Sequence, residues 1–197
     1  MTNYFQGEWY ADNAIMYSIL DEIPLYAGNE RSGSKFFLKT EKRTDRPISC
    51  HFKTTWRQNI GTKKRVFSES AGGFLTKLYG EQPELLDVFK EFSRLHLENF
   101  NFNSVTINRL PKNNCMRVHR DKVNVGDSCL VAFGEYMGGS TFVQNEKDLN
   151  YKIHDCRDGF IKFNGAERKH FVNSVKRGLR YSLVFYNSKN ISKKVKK

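Results

Sequence analysis

Apolar residues recur along the chain with two different periods, and the change from one to the other falls near residue 100. Before that point, Leu85, Val88, Phe89, Phe92 and Leu95 keep the 3.6-residue spacing of a helix with one apolar stripe. The spacing predicts a helix over 83–98. Pro83 suits its first turn, Glu84 and Asp87 lie at the positive end of the helix dipole, and Lys90 and Arg94 come later. A second helix is expected behind Asp12 as its cap, carrying Ile15, Ile19, Leu20 and Ile23 and ended by Pro24. Aromatic and β-branched residues interleaved with polar ones predict strands at 36–39 and 49–56.

Beyond residue 100 the pattern becomes one of short two-residue alternations. Strands are expected at 102–110, 115–119, 128–134, 140–144, 150–155, 159–164, 168–174 and 179–187. Turn residues separate them at 111–114, 124–127, Gly138-Gly139, Asp158-Gly159, Asn164-Gly165 and Arg177-Gly178. Short strands at near-even spacing predict a mainly β protein with some α (α+β). Its core would be a double-stranded β-helix, jelly-roll or cupin-like, flanked by N-terminal helices. Residues 1–100 would pack on this core as an extension, 101–188 would form it, and 189–197 would be a basic flexible tail, all within a single domain.

Composition narrows the class. The 197 residues include 16 Phe, and 39% are hydrophobic, enough for one sizeable core. Lys plus Arg is 33 against 21 Asp plus Glu, a net charge of +12. Such a surface draws polyanions, and nucleic acid is the expected partner. Lys63, Lys64 and Arg65 make one basic loop, and Lys193, Lys194, Lys196 and Lys197 load the tail. Cys50, Cys115, Cys129 and Cys156 form no C-x-x-C pair, so free thiols in a reducing compartment are expected. With no charged-then-apolar leader and no apolar run near the ~18 residues that span a bilayer, an intracellular protein off the membrane is expected, nuclear in a eukaryote.

Candidate chemistry begins at Met116-Arg117-Val118-His119-Arg120-Asp121. On a strand, side chains alternate, so His119 and Asp121 project to one face and Arg120 to the other. One more histidine from a distant strand would complete a two-histidine, one-carboxylate facial triad, which holds Fe(II) and leaves positions open for an oxo-acid and dioxygen. The triplet alone is weak. His96-Leu97-Glu98 has the same form, yet it lies on the predicted helix, where residues two apart diverge. The distal half adds weight: His170 follows, then Arg180-Tyr181-Ser182 opens the last strand. Arg180 and Ser182 share a face, and a guanidinium beside a hydroxyl can grip the far carboxylate of 2-oxoglutarate.

The run from His119 to Gly126 has the form H-x-D-x-x-N-x-G, and 134–139 reads G-x-x-x-G-G. Over about 103–187 the chain resembles the TET/JBP family of 2-oxoglutarate oxygenases, which hydroxylate the 5-methyl group of pyrimidines in DNA. The resemblance implies His119, Asp121 and His170 as iron ligands and Arg180 with Ser182 as the 2-oxoglutarate site. It also implies Fe(II), 2-oxoglutarate and dioxygen as cofactors, with ascorbate as an accessory reductant. Lys122 and Asn124, inside the motif, become candidates for substrate contact, though Asn124 could equally shape the turn. Phe102 to Arg109 is similar to the strand before the metal motif of AlkB-like demethylases, which implies Asn108 as a further 2-oxoglutarate contact. That family usually has tyrosine and a second arginine where this chain has Leu110 and Tyr186, and these departures count against N-demethylation. Hydroxylation of a protein or small molecule stands as another alternative.

Overall fold

Alternating burial sorts the strands of this protein into an inner and an outer face, and the two faces carry different chemistry. The structure is a computed structural model that describes residues 4–23, 48–53, 84–102, 104–148 and 150–188. The expected strand at 36–39, the basic loop 61–65 and the tail 189–197 lie outside these residues. The elements are α1 (Trp9–Glu22), β1 (Ile48–Lys53), α2 (Leu85–His96), β2 (Ser104–Leu110), β3 (Met116–His119), β4 (Asn124–Phe133) and β5 (Tyr136–Gly138). They continue with β6 (Thr141–Gln144), β7 (Tyr151–His154), β8 (Ile161–Phe163), β9 (His170–Val172), β10 (Val175–Gly178) and β11 (Arg180–Ser188).

One sheet runs β1-β2-β11-β4-β8 and a second runs β3-β9-β6-β7, while β5 and β10 form a separate ribbon. With β1 and the ribbon set aside, the larger sheet holds the first, eighth, third and sixth core strands. The smaller holds the second, seventh, fourth and fifth. This is the strand order of a double-stranded β-helix, a jelly roll.

On β2, β4 and β11 the odd-numbered residues Val105, Ile107, Val131, Phe133, Leu183 and Phe185 face outward into a core shared with the helices. Met16 and Leu20 of α1 and Val88, Phe89 and Phe92 of α2 complete it, all essentially without exposure. The even-numbered residues Asn108, Ser128, Arg180 and Ser182 face the barrel interior and are buried there with Leu110, Leu130 and Ala132. The helix expected at 83–98 is Leu85–His96.

Several expectations change; Arg177-Gly178, expected as a turn, ends β10, where these residues pair with Met137 and Tyr136 of β5. Asp12 is not the cap of α1: the helix starts at Trp9 after Glu8, and Asp12 lies in its first turn. Its buried carboxylate reaches back to accept the backbone N–H groups of Gln6 (2.7 Å) and Gly7 (2.8 Å), and it meets His96 Nε2 at 2.7 Å. His96, the decoy histidine, is thereby committed to joining the two helices. Residues 124–127, expected as a turn, begin β4 instead, because Asn124 and Val125 pair with Ser188 and Asn187 of the long last strand. The turn shifts to 121–124 and is closed by Asn124 N–H donating to Asp121 O at 2.8 Å.

No described helix is long and apolar enough to cross a membrane. Tyr181 ties α1 to the sheet. Its hydroxyl donates to Asp21 Oδ1 at 2.8 Å and accepts from Arg109 Nε at 3.1 Å. Burial and the Asp21 carboxylate push the phenol up to about 12. Phe92 lies at the centre of a ring cluster in the outer core, meeting Phe5, Trp9, His96, Phe133 and Phe160. Phe92→Ala is expected to lower the unfolding free energy by about 3–5 kcal/mol in urea denaturation followed by far-UV circular dichroism; a loss below about 1 kcal/mol would mean the helices do not rest on this ring.

Candidate metal centre

The two histidines are brought together by strand register. β3 pairs antiparallel with β9, and His119 is the direct partner of His170. Side chains directly opposite on one face of such a pair are near neighbours, and here the ring centroids are 4.2 Å apart. Asp121 follows the end of β3 and closes the triangle. Its Oδ1 lies 3.8 Å from His119 Nε2, and its Oδ2 lies 3.5 Å from His170 Nε2. All three donor atoms fall within 4.8 Å of one another.

Backbone carbonyls fix which ring nitrogen faces the triangle. His119 Nδ1 is 2.7 Å from Arg117 O, and His170 Nδ1 is 3.0 Å from Arg168 O. A carbonyl only accepts, so each Nδ1 carries the proton and each Nε2 presents a lone pair to the centre. That is the outer hydrogen bond that metal-binding histidines make. His170 is 8% exposed, Asp121 19% and His119 30%, so the centre is walled on the His170 side and opens past His119.

Asp121 is held by its neighbours in two strand connections. Its N–H donates to Gly165 O at 2.7 Å in the loop between β8 and β9. Gly165 stands against the triad: a Cβ there would lie 3.3 Å from Asp121 Oδ2 and 3.6 Å from His170 Cε1. Asn124 turns inward, buried, and its Nδ2 donates to Ser128 Oγ at 3.1 Å. Phe163 sets the edge of the His170 ring at a centroid distance of 5.0 Å.

Arg180 is fully buried on the inner face of β11. Its Nη2 donates to Thr141 Oγ1 at 3.1 Å, whereas Nε and Nη1 have no hydrogen-bond partner among the described residues. The guanidinium also lies over the Tyr136 ring, 5.7 Å from its centroid. Burial pushes the neighbouring Cys156 thiol and Tyr136 phenol up, so both stay neutral and neither is its counter-ion. A buried cation with two free N–H groups is costly unless an anion joins it. Gly139 leaves space beside it, since a Cβ there would press on Arg180 Cδ at 2.9 Å. Ser182 and Asn108 are register partners next to Arg180, with Asn108 Nδ2 donating to Ser182 Oγ at 3.3 Å.

The donor set fits a divalent transition metal: two neutral imidazoles and one carboxylate occupy one face and leave the other positions open, the arrangement suited to Fe(II). The two unpartnered N–H groups of Arg180 fit a carboxylate, as 2-oxoglutarate would offer. Thr141, Tyr136, Gly139 and Gly165 also belong to this centre; the glycines are marked in the sequence only as turn or motif positions, and Thr141 and Tyr136 are not singled out by it. Thr106 meets Tyr186 on the inner face, their hydroxyl oxygens 3.5 Å apart. Lys122 is exposed at the turn beside Asp121.

No protein-family model and no curated protein matches the sequence. Solved structures do. A 2OG-Fe(II) oxygenase family oxidoreductase from Burkholderia pseudomallei aligns at 19% identity over 59% of this chain and 56% of its own, with a TM-score of 0.39. NgTET1 in complex with 5mC DNA aligns at 16% identity over 72% and 61%, with a TM-score of 0.44. A Pseudomonas putida prolyl-4-hydroxylase aligns at 11% identity over 94% and 90%, with a TM-score of 0.49. The chain thus spans less than two thirds of the length of the first two.

Gly165→Ala is expected to weaken Co(II) or Fe(II) binding about 10- to 100-fold by crowding Asp121 and His170, measured by isothermal titration calorimetry, with little change in melting temperature. Unchanged affinity would remove Gly165 from the support of the centre.

Proposed function

We propose that this chain is an Fe(II)- and 2-oxoglutarate-dependent dioxygenase that hydroxylates the 5-methyl group of a pyrimidine, 5-methylcytosine or thymine, in DNA. The observation that carries the oxygenase reading is the convergence of His119, Asp121 and His170 within 4.8 Å in a jelly roll whose interior also buries Arg180 with its Nε and Nη1 unbonded among the described residues. Either feature alone has structural explanations. Together they match the needs of a metal and a dicarboxylate held side by side.

Each side chain has a definable task. His119, Asp121 and His170 would hold the ferrous ion through Nε2, a carboxylate oxygen and Nε2. Their Nδ1–H bonds to carbonyls hold both rings with Nε2 turned toward the centre. Arg180 would bind the far carboxylate of 2-oxoglutarate through Nε and Nη1 while Thr141 steadies Nη2, and Ser182 and Asn108 would add hydrogen bonds from the adjoining rung. Leu110, Val143, Val172 and Val175 line the same interior and exclude water. When bound, the metal and its oxo-acid supply the oxidising power that, with dioxygen, turns a C–H bond into an alcohol, and the protein supplies position and a dry surround.

DNA as the substrate is supported by the H-x-D-x-x-N-x-G pattern of residues 119–126 and by the net charge of +12. A stacked base cannot reach a centre inside a barrel, so the target nucleotide has to be flipped out or single-stranded. Tyr186 on the inner face, in place of a second arginine, supports methyl hydroxylation over N-demethylation.

Incubation with methylated and unmethylated DNA, Fe(II), ascorbate and 2-oxoglutarate, followed by nucleoside mass spectrometry, is expected to yield a 5-hydroxymethylpyrimidine, with no product from His170→Ala. Succinate formation with no oxidised nucleoside would retain the oxygenase and discard the substrate. Arg180→Lys is expected to raise the KM for 2-oxoglutarate at least about tenfold, because an ammonium cannot present the planar pair of N–H groups; an unchanged KM in succinate assays would detach Arg180 from the cosubstrate.

A further inference from the structure

We propose that the tip of the β3–β4 turn, Lys122-Val123, is the lip on which a nucleic-acid strand rests. Val123 packs against a base or sugar, while Lys122, Arg117 and Arg120 take the phosphates. The proposal deepens the reading of the centre as a nucleobase hydroxylase and rests on it.

The first observation is where the exposed apolar surface lies. Among the described residues the large hydrophobics left exposed include Val118, Val123 and Val125, at 54%, 47% and 47%. All three flank the metal motif: Val118 precedes His119, and Val123 and Val125 follow Asp121. Val123 stands two residues after Asp121 on the exposed tip of the turn, so an apolar side chain open to solvent lies directly beside a candidate ligand.

The second observation is that the tip is built rather than loose. Asn124 N–H closes the turn on Asp121 O at 2.8 Å, and buried Asn124 anchors it through Ser128 Oγ at 3.1 Å. The polar motif residue therefore serves the inside of the turn, and Val123 is what the turn shows to solvent. A contact fixed this close to Asp121 holds its partner at a set distance from the metal ligands.

The third observation is charge. Arg117, Arg120 and Lys122 are exposed around these valines, and none is in an ion pair with a described residue. On β4, the exposed carboxylate of Asp127 lies 3.5 Å from Lys162 Nζ and is balanced by it. The lip is both cationic and apolar. A strand with unstacked bases offers phosphates and apolar ring faces together, whereas an acidic peptide offers chiefly the charge.

The test is fluorescence anisotropy with labelled single-stranded DNA containing 5-methylcytosine, titrated at several salt concentrations. Co(II) calorimetry on the same proteins checks the metal centre independently. Val123→Ser is expected to weaken binding about three- to tenfold with the salt slope unchanged. Lys122→Ala is expected to flatten the log–log salt slope by about 0.7. Both should keep the Co(II) affinity of the parent. Wild-type affinity in both variants at every salt concentration, with Co(II) binding intact, would overturn the lip while leaving the hydroxylase reading in place. Displacement of the oligonucleotide as readily by polyglutamate as by unlabelled single-stranded DNA would overturn the choice of nucleic acid. No oligonucleotide binding by the unsubstituted protein would overturn both the lip and the DNA substrate.

Discussion

The centre of this protein depends on one rung of antiparallel pairing, His119 of β3 opposite His170 of β9. Successive side chains on a strand point to opposite faces, so a slip of one residue would turn one imidazole out of the barrel and leave the other alone. The register is held by the apolar residues that share the inner face, with Met116 opposite Val172 on the same strand pair and Val143 opposite His170 on β6. An irregularity between Met116 and His119 lets both Met116 and His119 meet their partners on this face. The candidate ligands are thereby positioned by packing that has no chemical role of its own.

The same alternation separates stability from chemistry in the larger sheet. The outward residues of β2, β4 and β11 are apolar and lie under α1 and α2, where Phe92 and its ring neighbours fill the interface. The inward residues include Asn108, Ser128, Ser182 and Arg180, groups that weaken a core unless they are satisfied. Concentrating apolar burial on one face lets the other carry a buried guanidinium with two unbonded N–H groups among the described residues and a hydrogen-bonded polar row. The buried Asp12–His96 pair joins the helices that make this division work, at 2.7 Å.

Around the centre, short backbone contacts replace long side-chain arms. Asp121 is fixed by Gly165 O and by the turn that Asn124 closes, and both imidazoles are oriented by carbonyls two residues upstream. Because the turn is anchored inward at Ser128, its outer edge is free to present Val123 and Lys122. Wall and rim are made by the same few residues, which ties the exposed tip of the turn to the Asp121 carboxylate.

Much of this was legible in the residues alone. The 3.6-residue stripe of α2, the evenly spaced alternating runs of the barrel and the order H-x-D, H, R-x-S are local or ordinal features, and local periodicity records which face of an element is buried. Tertiary structure decided the rest. Asp12 became a buried partner of His96 instead of a cap, and residues 124–127 became strand instead of turn, because partners distant in sequence recruited them. Thr141, Tyr136, Gly139 and Gly165 entered the centre for the same reason: their positions matter only once β5, β6 and the β8–β9 loop are folded against Arg180 and Asp121. Contact between residues far apart along the chain is a property of register and closure, and no spacing along one strand encodes it.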